Sequence, residues 1–284
     1  MPLQGLTLIG ESINDSVPST RALFDANDLA GIMSLATAQD QRGAAYIDVN
    51  VGPRPPDFMA GVIRAVQTAT GKPLSIDSPD FATAKAGLEA YDPACGTPIL
   101  NSISPLRMEM FGLLAVKLFR PILLVSENLK DGTGLPCITA EDTYAAAKLL
   151  LETARRHGIA NQDCIFDPGI APLATDTENN LRRLMGALRL IRDDADFAGV
   201  HVSVGLSNFT VMLPSKRPDG SPVKAQLASA FLTRAMPLGL DTVIGSVKVP
   251  YAILPEGHPA LQCFDDCLAA EGFDVLERVQ NFYS

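Results

Sequence analysis

Short apolar runs alternate with longer amphipathic stretches along the whole chain. The runs are Leu6–Gly10, Tyr46–Val51, Pro73–Asp77, Pro98–Asn101, Pro121–Val125, Cys164–Phe166, His201–Leu206 and Thr242–Gly245. Most are continuous aliphatic or β-branched segments, the pattern of strands buried on both faces. The stretches between them carry helix-end signals. Asp57 precedes Phe58–Thr70 and Asp80 precedes Phe81–Tyr91, both read as caps. Thr139 and Asp142 have capping-box spacing, and Gly158 closes the helix they open. Ser221-Pro222 reads as a cap and first-turn proline ahead of Val223–Met236. Eight strand–helix units with no linker or repeat predict one domain over residues 1–284, a single (β/α)8 barrel of the TIM type. The alternative is an open doubly wound sheet. Its glycine-rich first turn is missing, because that turn reads Ile9-Gly10-Glu11-Ser12-Ile13-Asn14.

Composition narrows the partners. Of 284 residues, 23 are Lys or Arg and 32 are Asp or Glu, a formal net charge of −9. With no basic run, nucleic acid is not an expected partner. The most apolar stretch, Phe111 to Val125, is interrupted by Lys117 and Arg120 and is too short to span a bilayer. No signal peptide is expected, since Arg21 is the first basic residue. The odd, scattered set of cysteines predicts reduced thiols and a cytoplasmic location. Cys263 and Cys267 have helix spacing and read as packing, so no metal site is expected.

In a barrel of this kind the reacting groups lie where strands end. Those positions hold Glu11 and Asn14, Asp48 and Asn50, Asp77, Asn101, Glu127 and Asn128, Asp167, and Ser207-Asn208. Carboxylates and carboxamides thus converge on one mouth. None of His157, His201 and His258 is at a strand end, and no cysteine is, which argues against acyl chemistry. No strand-end lysine offers a Schiff base; Lys248 is the nearest candidate. Such a mouth suits a flat heterocycle with several N–H donors and ring acceptors. Several of these residues can instead be helix caps; the shared strand-end location favours a site for Asp77, Asn101, Asp167 and Asn208. Asp48 and Asn50 alternate with Ile47, Val49 and Val51 and point into the barrel, where a structural role and a binding role both stay open.

The ordered set Ile9-Gly10-Glu11-Ser12-Ile13-Asn14, Ile47-Asp48-Val49-Asn50-Val51-Gly52-Pro53, Asp77-Ser78, Asn101-Ser102, Asp167-Pro168 and Gly205-Leu206-Ser207-Asn208 resembles the pterin-binding barrel family. It looks most like the methyltetrahydrofolate:corrinoid methyltransferases, over nearly the whole chain. Asp167-Pro168-Gly169-Ile170 is also similar to the strand-6 motif of dihydropteroate synthases. The Glu-Ser-Thr-Arg-Pro-Gly loop, the Ser-Arg-Lys of strand 7 and the Arg-Val-His of strand 8 are absent, however; Ser207-Asn208 and Gly245-Ser246-Val247 stand there. Without those cations nothing would stabilise departing diphosphate.

The resemblance implies methyl transfer between N5 of tetrahydrofolate and the cobalt of a corrinoid, in a direction it leaves open. Asp77, Asn101 and Asp167 would hold the pterin, with Glu11, Asn14, Asp48, Asn50 and Ser207 around it. Asn208 would serve N5, and Asp77 and Asn208 are the implied catalytic pair. Related corrinoid methyltransferases often carry Gln three residues beyond this Asn, and here that position is Val211. The chain has no corrin-ligating Asp-x-His-x-x-Gly segment, so a separate corrinoid-binding protein would bring the cobalt. A homodimer is expected from the resemblance and from the Ala-rich Val223–Met236 helix. The loop from Phe209 to Gly220 carries Lys216 and Arg217, either solvated or in contact with the folate tail or the partner. Two further readings are a dihydropteroate synthase-like enzyme and a non-catalytic pterin-binding subunit.

Overall fold

A computed structural model describes residues 3–284. Among these residues ten strands and ten α-helices follow one another. The strands are β1 (Thr7–Asn14), β2 (Tyr46–Asn50), β3 (Leu74–Asp77), β4 (Ile99–Ile103), β5 (Arg120–Leu124), β6 (Glu127–Lys130), β7 (Thr133–Pro136), β8 (Ile165–Asp167), β9 (His201–Gly205) and β10 (Thr242–Gly245). The helices are α1 (Pro18–Asp25), α2 (Leu29–Gln41), α3 (Pro56–Ala69), α4 (Phe81–Ala90), α5 (Ala140–Arg156), α6 (Asn180–Asp193), α7 (Leu206–Thr210), α8 (Lys224–Ala235), α9 (Pro259–Ala269) and α10 (Phe273–Tyr283). Eight strands, all but β6 and β7, close a parallel barrel in the order β1-β10-β9-β8-β5-β4-β3-β2. This is the (β/α)8 architecture that the alternating pattern predicts.

The barrel strands are mostly apolar because each has two packed faces. Leu8, Ile47, Val49, Ile76, Leu100, Phe166 and Val243 point outward into the layer shared with the helices. Ile9, Ile99, Ile122 and Ile165 point inward, with Tyr46 and Ile244 beside them, and form a separate apolar plug inside the barrel. Successive side chains alternate between faces, so the residue two places beyond each plug residue also points inward, ~6–7 Å nearer the C-terminal mouth. Those residues include Glu11, Asp48, Asn101 and Asp167. The plug is the floor on which the polar mouth stands.

Several boundaries differ from the sequence reading. β1 runs to Asn14 rather than stopping at Gly10, because its register with β2 shifts between Gly10 and Ile13 and pairing then resumes. β4 likewise continues through a shift to Ile103. Asp80 caps α4, accepting from Thr83 N at 2.8 Å, and the Thr139/Asp142 capping box is present. Asp57 is not a cap. Pro55 and Pro56 start α3, and Asp57 lies in its first turn. Ser221-Pro222 is not a cap either. Ser221 Oγ donates to Asp219, Pro222 bridges Lys216, and α8 begins at Lys224.

The hairpin β6–β7 after barrel strand β5 escaped the sequence reading. Its signal was Asp131-Gly132, whose φ values of 51° and 77° are those of a two-residue hairpin turn. Cys263 and Cys267 are buried on α9 as packing residues against α10. The apolar residues of α8, among them Leu227, Ala230, Phe231 and Leu232, are buried within the chain, so this helix offers no apolar face to a second copy. Among the described residues no helix is long and apolar enough to cross a membrane.

The short helix α7 is pinned by an aromatic trio. Phe209 lies 5.3 Å from Phe231 of α8 and 6.2 Å from Phe264 of α9. Phe209 follows Asn208 directly, so this cluster sets where Asn208 stands. Phe231 is fully buried. Phe231→Ala should cost ~3–5 kcal/mol of unfolding free energy in a urea titration. A loss under ~1 kcal/mol would show that the trio does not anchor α7.

Candidate functional site

A cavity of about 460 Å³ opens at the C-terminal mouth of the barrel. Glu11, Asn14, Asp48, Asp77, Asn101, Asp167, Ser207 and Asn208 all line it, arriving from five barrel strands and α7. Asn50 stands behind this wall, with its Nδ2 donating to Asp77 Oδ2 at 2.9 Å. The remaining wall includes the apolar side chains Leu124, Ile170, Val211 and Ile244. Polar groups above an apolar floor, with an apolar flank, fit a flat polar ring.

Each acid has a neutral donor. Asp48 Oδ1 accepts from Ser75 Oγ at 2.6 Å and from Asn101 Nδ2 at 3.4 Å. Glu11 accepts from Ser207 Oγ, tying β1 to the start of α7. Asp167 Oδ1 accepts from Gly169 N at 2.7 Å. That turn requires glycine, since Gly169 has φ +68° and a Cβ there would meet Ser126 at 2.5 Å. Asn50 Oδ1 also accepts from Gly52 N at 2.9 Å. Arg54 fixes the same loop. It bonds Asp15 Oδ1 at 2.5 Å and Val51 O at 2.8 Å, and its guanidinium packs against the rings of Phe24 and Phe58.

Burial sets the protonation of these acids. It pushes Asp48 well above the usual carboxylate range, and the neighbouring Asp77 charge adds to the effect. Burial also raises Asp77, against its bond from Asn50 and the charge of Arg107. It raises Glu11 against the Ser207 bond. Asp167 is pushed up to about 6 by burial, which outweighs the Gly169 N–H, the Arg183 charge and Ser203. Asn208, in contrast, is exposed and faces the cavity. A Cβ on Gly205 would stand 3.0 Å from Asn208 Nδ2, so glycine there leaves room for the carboxamide.

Other predicted features fall elsewhere. Lys216 and Arg217 do not line the cavity; Arg217 stacks on Phe282 of α10 at 3.8 Å. The Arg217 part of the loop folds back on the C-terminal helix, while Val211 at its start lines the cavity. The histidines have other tasks, as their absence from strand ends implied. His157 stacks on Phe111, His201 at the start of β9 bonds Asp241, and His258 caps α9. Arg107 was missed. It donates to Ser102 Oγ at 3.4 Å and pairs with Glu127 of the hairpin at 3.6 Å, close enough for its charge to act on Asp77. Its sequence signal was a lone cation five residues beyond a strand-end Ser. Among the described residues, no group of three or more His, Cys, Asp and Glu is placed to hold a metal ion.

The fold and mouth define a (β/α)8 barrel protein whose C-terminal cavity is lined by acids and amides. The sequence profile described as pterin binding enzyme matches residues 13–245, and the chain belongs to that family. It is 29% identical over 248 residues to the methylcorrinoid:tetrahydrofolate methyltransferase of Eubacterium limosum, covering 84% of each chain. Among solved structures it is similar to the Xanthomonas albilineans dihydropteroate synthase in complex with 7,8-dihydropteroate. The TM-score is 0.55 at 18% identity, over 95% of this chain and 96% of that one. The Vibrio fischeri 7,8-dihydropteroate synthase gives 0.60 at 16%, over 99% and 94%. At these identities the two structures speak for the barrel fold.

The raised Asp167 carboxyl makes stability depend on pH with a definite sign. Unfolded, the group titrates near ~4; folded, it holds its proton to about 6. Its contribution is therefore full below ~4 and is lost as pH rises through about 6. Asp167→Asn does not titrate. It should gain on wild type by ~2–3 kcal/mol between about pH 4 and about pH 7.5 in denaturation series. Parallel curves would show that Asp167 is not held protonated by burial.

Proposed function

We propose that the protein is a tetrahydrofolate- and corrinoid-dependent methyltransferase, moving a methyl group between N5 of the folate and the cobalt of a corrinoid carried by a separate protein. The observation that carries this reading is the convergence of Asp77, Asn101, Asp167 and Asn208 on one cavity. The relative from Eubacterium limosum supports it, and its name gives tetrahydrofolate as the methyl acceptor. That direction is the one we favour here.

Asp167 and Asp77 accept N–H bonds from the amino-pyrimidinone edge of the pterin, and Asn101 meets a ring nitrogen. Asn208 stands at N5. Its carboxamide both donates and accepts, so one side chain serves N5 with or without its proton. In the favoured direction N5 takes the methyl group, the electron pair of the broken bond stays with the cobalt of the corrinoid, and positive charge grows on N5 until its proton passes to solvent; the carboxamide oxygen of Asn208 accepts from that N–H more strongly than in the ground state. This is the logic of an oxyanion hole with the sign of the charge reversed, a preorganised dipole answering charge that develops in the transition state. Among the described residues no Lys or Arg lines the cavity, which speaks against a diphosphate leaving group and hence against dihydropteroate synthesis.

We place the protein in the cytoplasm, since all five cysteines are unpaired and four are buried as thiols. The family resemblance alone supports a homodimer. Sedimentation should give about twice 30.2 kDa at micromolar concentration; a mass near the monomer value removes the dimer.

Two variants test the site. Asn208→Ala should slow methyl transfer by about two to three orders of magnitude, followed by the corrin absorbance change with methylcobalamin and tetrahydrofolate. Folate affinity should fall much less. Asp167→Ala should instead weaken folate binding by ~2–4 kcal/mol in calorimetry. An Asn208→Ala protein that keeps its rate but loses binding would overturn the mechanism. A wild type inactive in both directions yet binding folate would be a non-catalytic pterin-binding subunit.

A further inference from the structure

Arg183 on α6 is 6% exposed, and its hydrogen bonds go to neutral oxygens. Nη1 donates to Thr143 Oγ1 at 2.9 Å and to Pro168 O at 2.7 Å, and Nη2 donates to Gly169 O at 3.0 Å. Nε is buried with no partner. A buried cation costs several kcal/mol of desolvation, and an apolar side chain of similar volume commonly replaces one without loss. Packing alone therefore gives no reason for a guanidinium here.

The Pro168–Gly169 peptide supplies one. Its carbonyl oxygen accepts from Arg183, and its N–H donates to Asp167 Oδ1 at 2.7 Å. One peptide plane thus lies between a buried cation and a buried acid. A cation on the carbonyl oxygen polarises the amide and makes its N–H a stronger donor. The fork spans two successive carbonyls, which the single ammonium of a lysine would not do. We propose that Arg183 is the positioning residue and counter-charge of Asp167, acting through the Pro168–Gly169 peptide to present this acid to its ligand ionised and aimed.

The surroundings agree. Arg183 is faced by Cys137 ahead of α5, by Asp167 of β8 and by Asp176 ahead of α6. Asp176 is engaged in accepting from the backbone N–H groups of Asn180 and Leu181. Asp167 is flanked by Ser203 of β9. The other acids of the mouth, Glu11, Asp48 and Asp77, have donors of their own on Ser207, Ser75 and Asn50.

Only the affinity part of the test rests on the pterin reading. Arg183→Gln keeps an amide donor and removes the charge. Carbon-13 NMR of the unliganded protein should show the Asp167 carboxyl titrating at higher pH in this variant than in wild type. Methyltetrahydrofolate affinity should fall about tenfold near pH 6.5 and less than about twofold near pH 8.5, where Asp167 is ionised regardless. An Asp167 titration unchanged from wild type overturns the proposal. So does an affinity loss equal at both pH values, which is the mark of a purely structural role. Should Arg183→Gln not fold, the wild type still decides. The Gly169 amide and the Arg183 guanidinium resonances should shift with the same midpoint as the Asp167 carboxyl, and independence of the three overturns the proposal. A wild type that binds no folate removes the function and leaves the carboxyl titration to judge Arg183.

Discussion

Closing eight strands into a barrel forces their inward residues into a space that water reaches from one end, and in this chain four of those residues are acids. Glu11, Asp48, Asp77 and Asp167 share the mouth, and Asp48 and Asp167 are buried. Charges so close in a low dielectric repel one another and lose hydration. The chain answers with neutral donors rather than ion pairs. Serine hydroxyls, asparagine amides and one backbone N–H each point at a carboxyl oxygen. The neighbouring loops then hold those donors in place. Arg54 fixes the turn that carries Asn50, and the glycine turn at 169 presents its N–H to Asp167.

Cations stand behind this wall instead of in it. Arg107 reaches Asp77 by charge from the loop after β4, and Arg183 reaches Asp167 through a peptide. The arrangement leaves the inner face of each acid free for a ligand. A direct arginine fork would occupy the carboxyl oxygens that a ligand's paired N–H donors would need. Holding the cations at a distance moderates the acids without competing for them.

Much of this was legible in the sequence because period two in a buried strand is unambiguous. Ile9-Gly10-Glu11, Ile99-Leu100-Asn101 and Ile165-Phe166-Asp167 each place a plug residue and a mouth residue on one face. The strand ends therefore named eight residues that line the cavity. What escaped was decided by contacts between distant segments. Ser221-Pro222 has the local chemistry of a helix start, yet the hydroxyl finds Asp219 and the turn bridges back to Lys216. Lys216 and Arg217 looked like cations on an active-face loop, and the ring of Phe282, some 65 positions on in the chain, takes Arg217 away. Arg183 sits in an ordinary amphipathic helix, and no periodicity shows that its side chain reaches back to the turn after β8.

The electrostatics of the mouth also constrain what it accepts. Burial holds its acids toward their neutral forms, and no lysine or arginine among the described residues lines it. An anionic group arriving there would meet no lining counter-charge among the described residues. A neutral ligand rich in N–H donors gains instead. Each N–H it brings offsets the desolvation of a carboxylate, and its binding favours the ionised acid over the protonated one. Asn208 is the exception that fits this logic. It is uncharged and exposed among buried acids, so it can follow a change of charge on the ligand without a proton of its own being gained or lost. The mouth thus sets buried acids beside one exposed amide, the division that the proposed reaction would use.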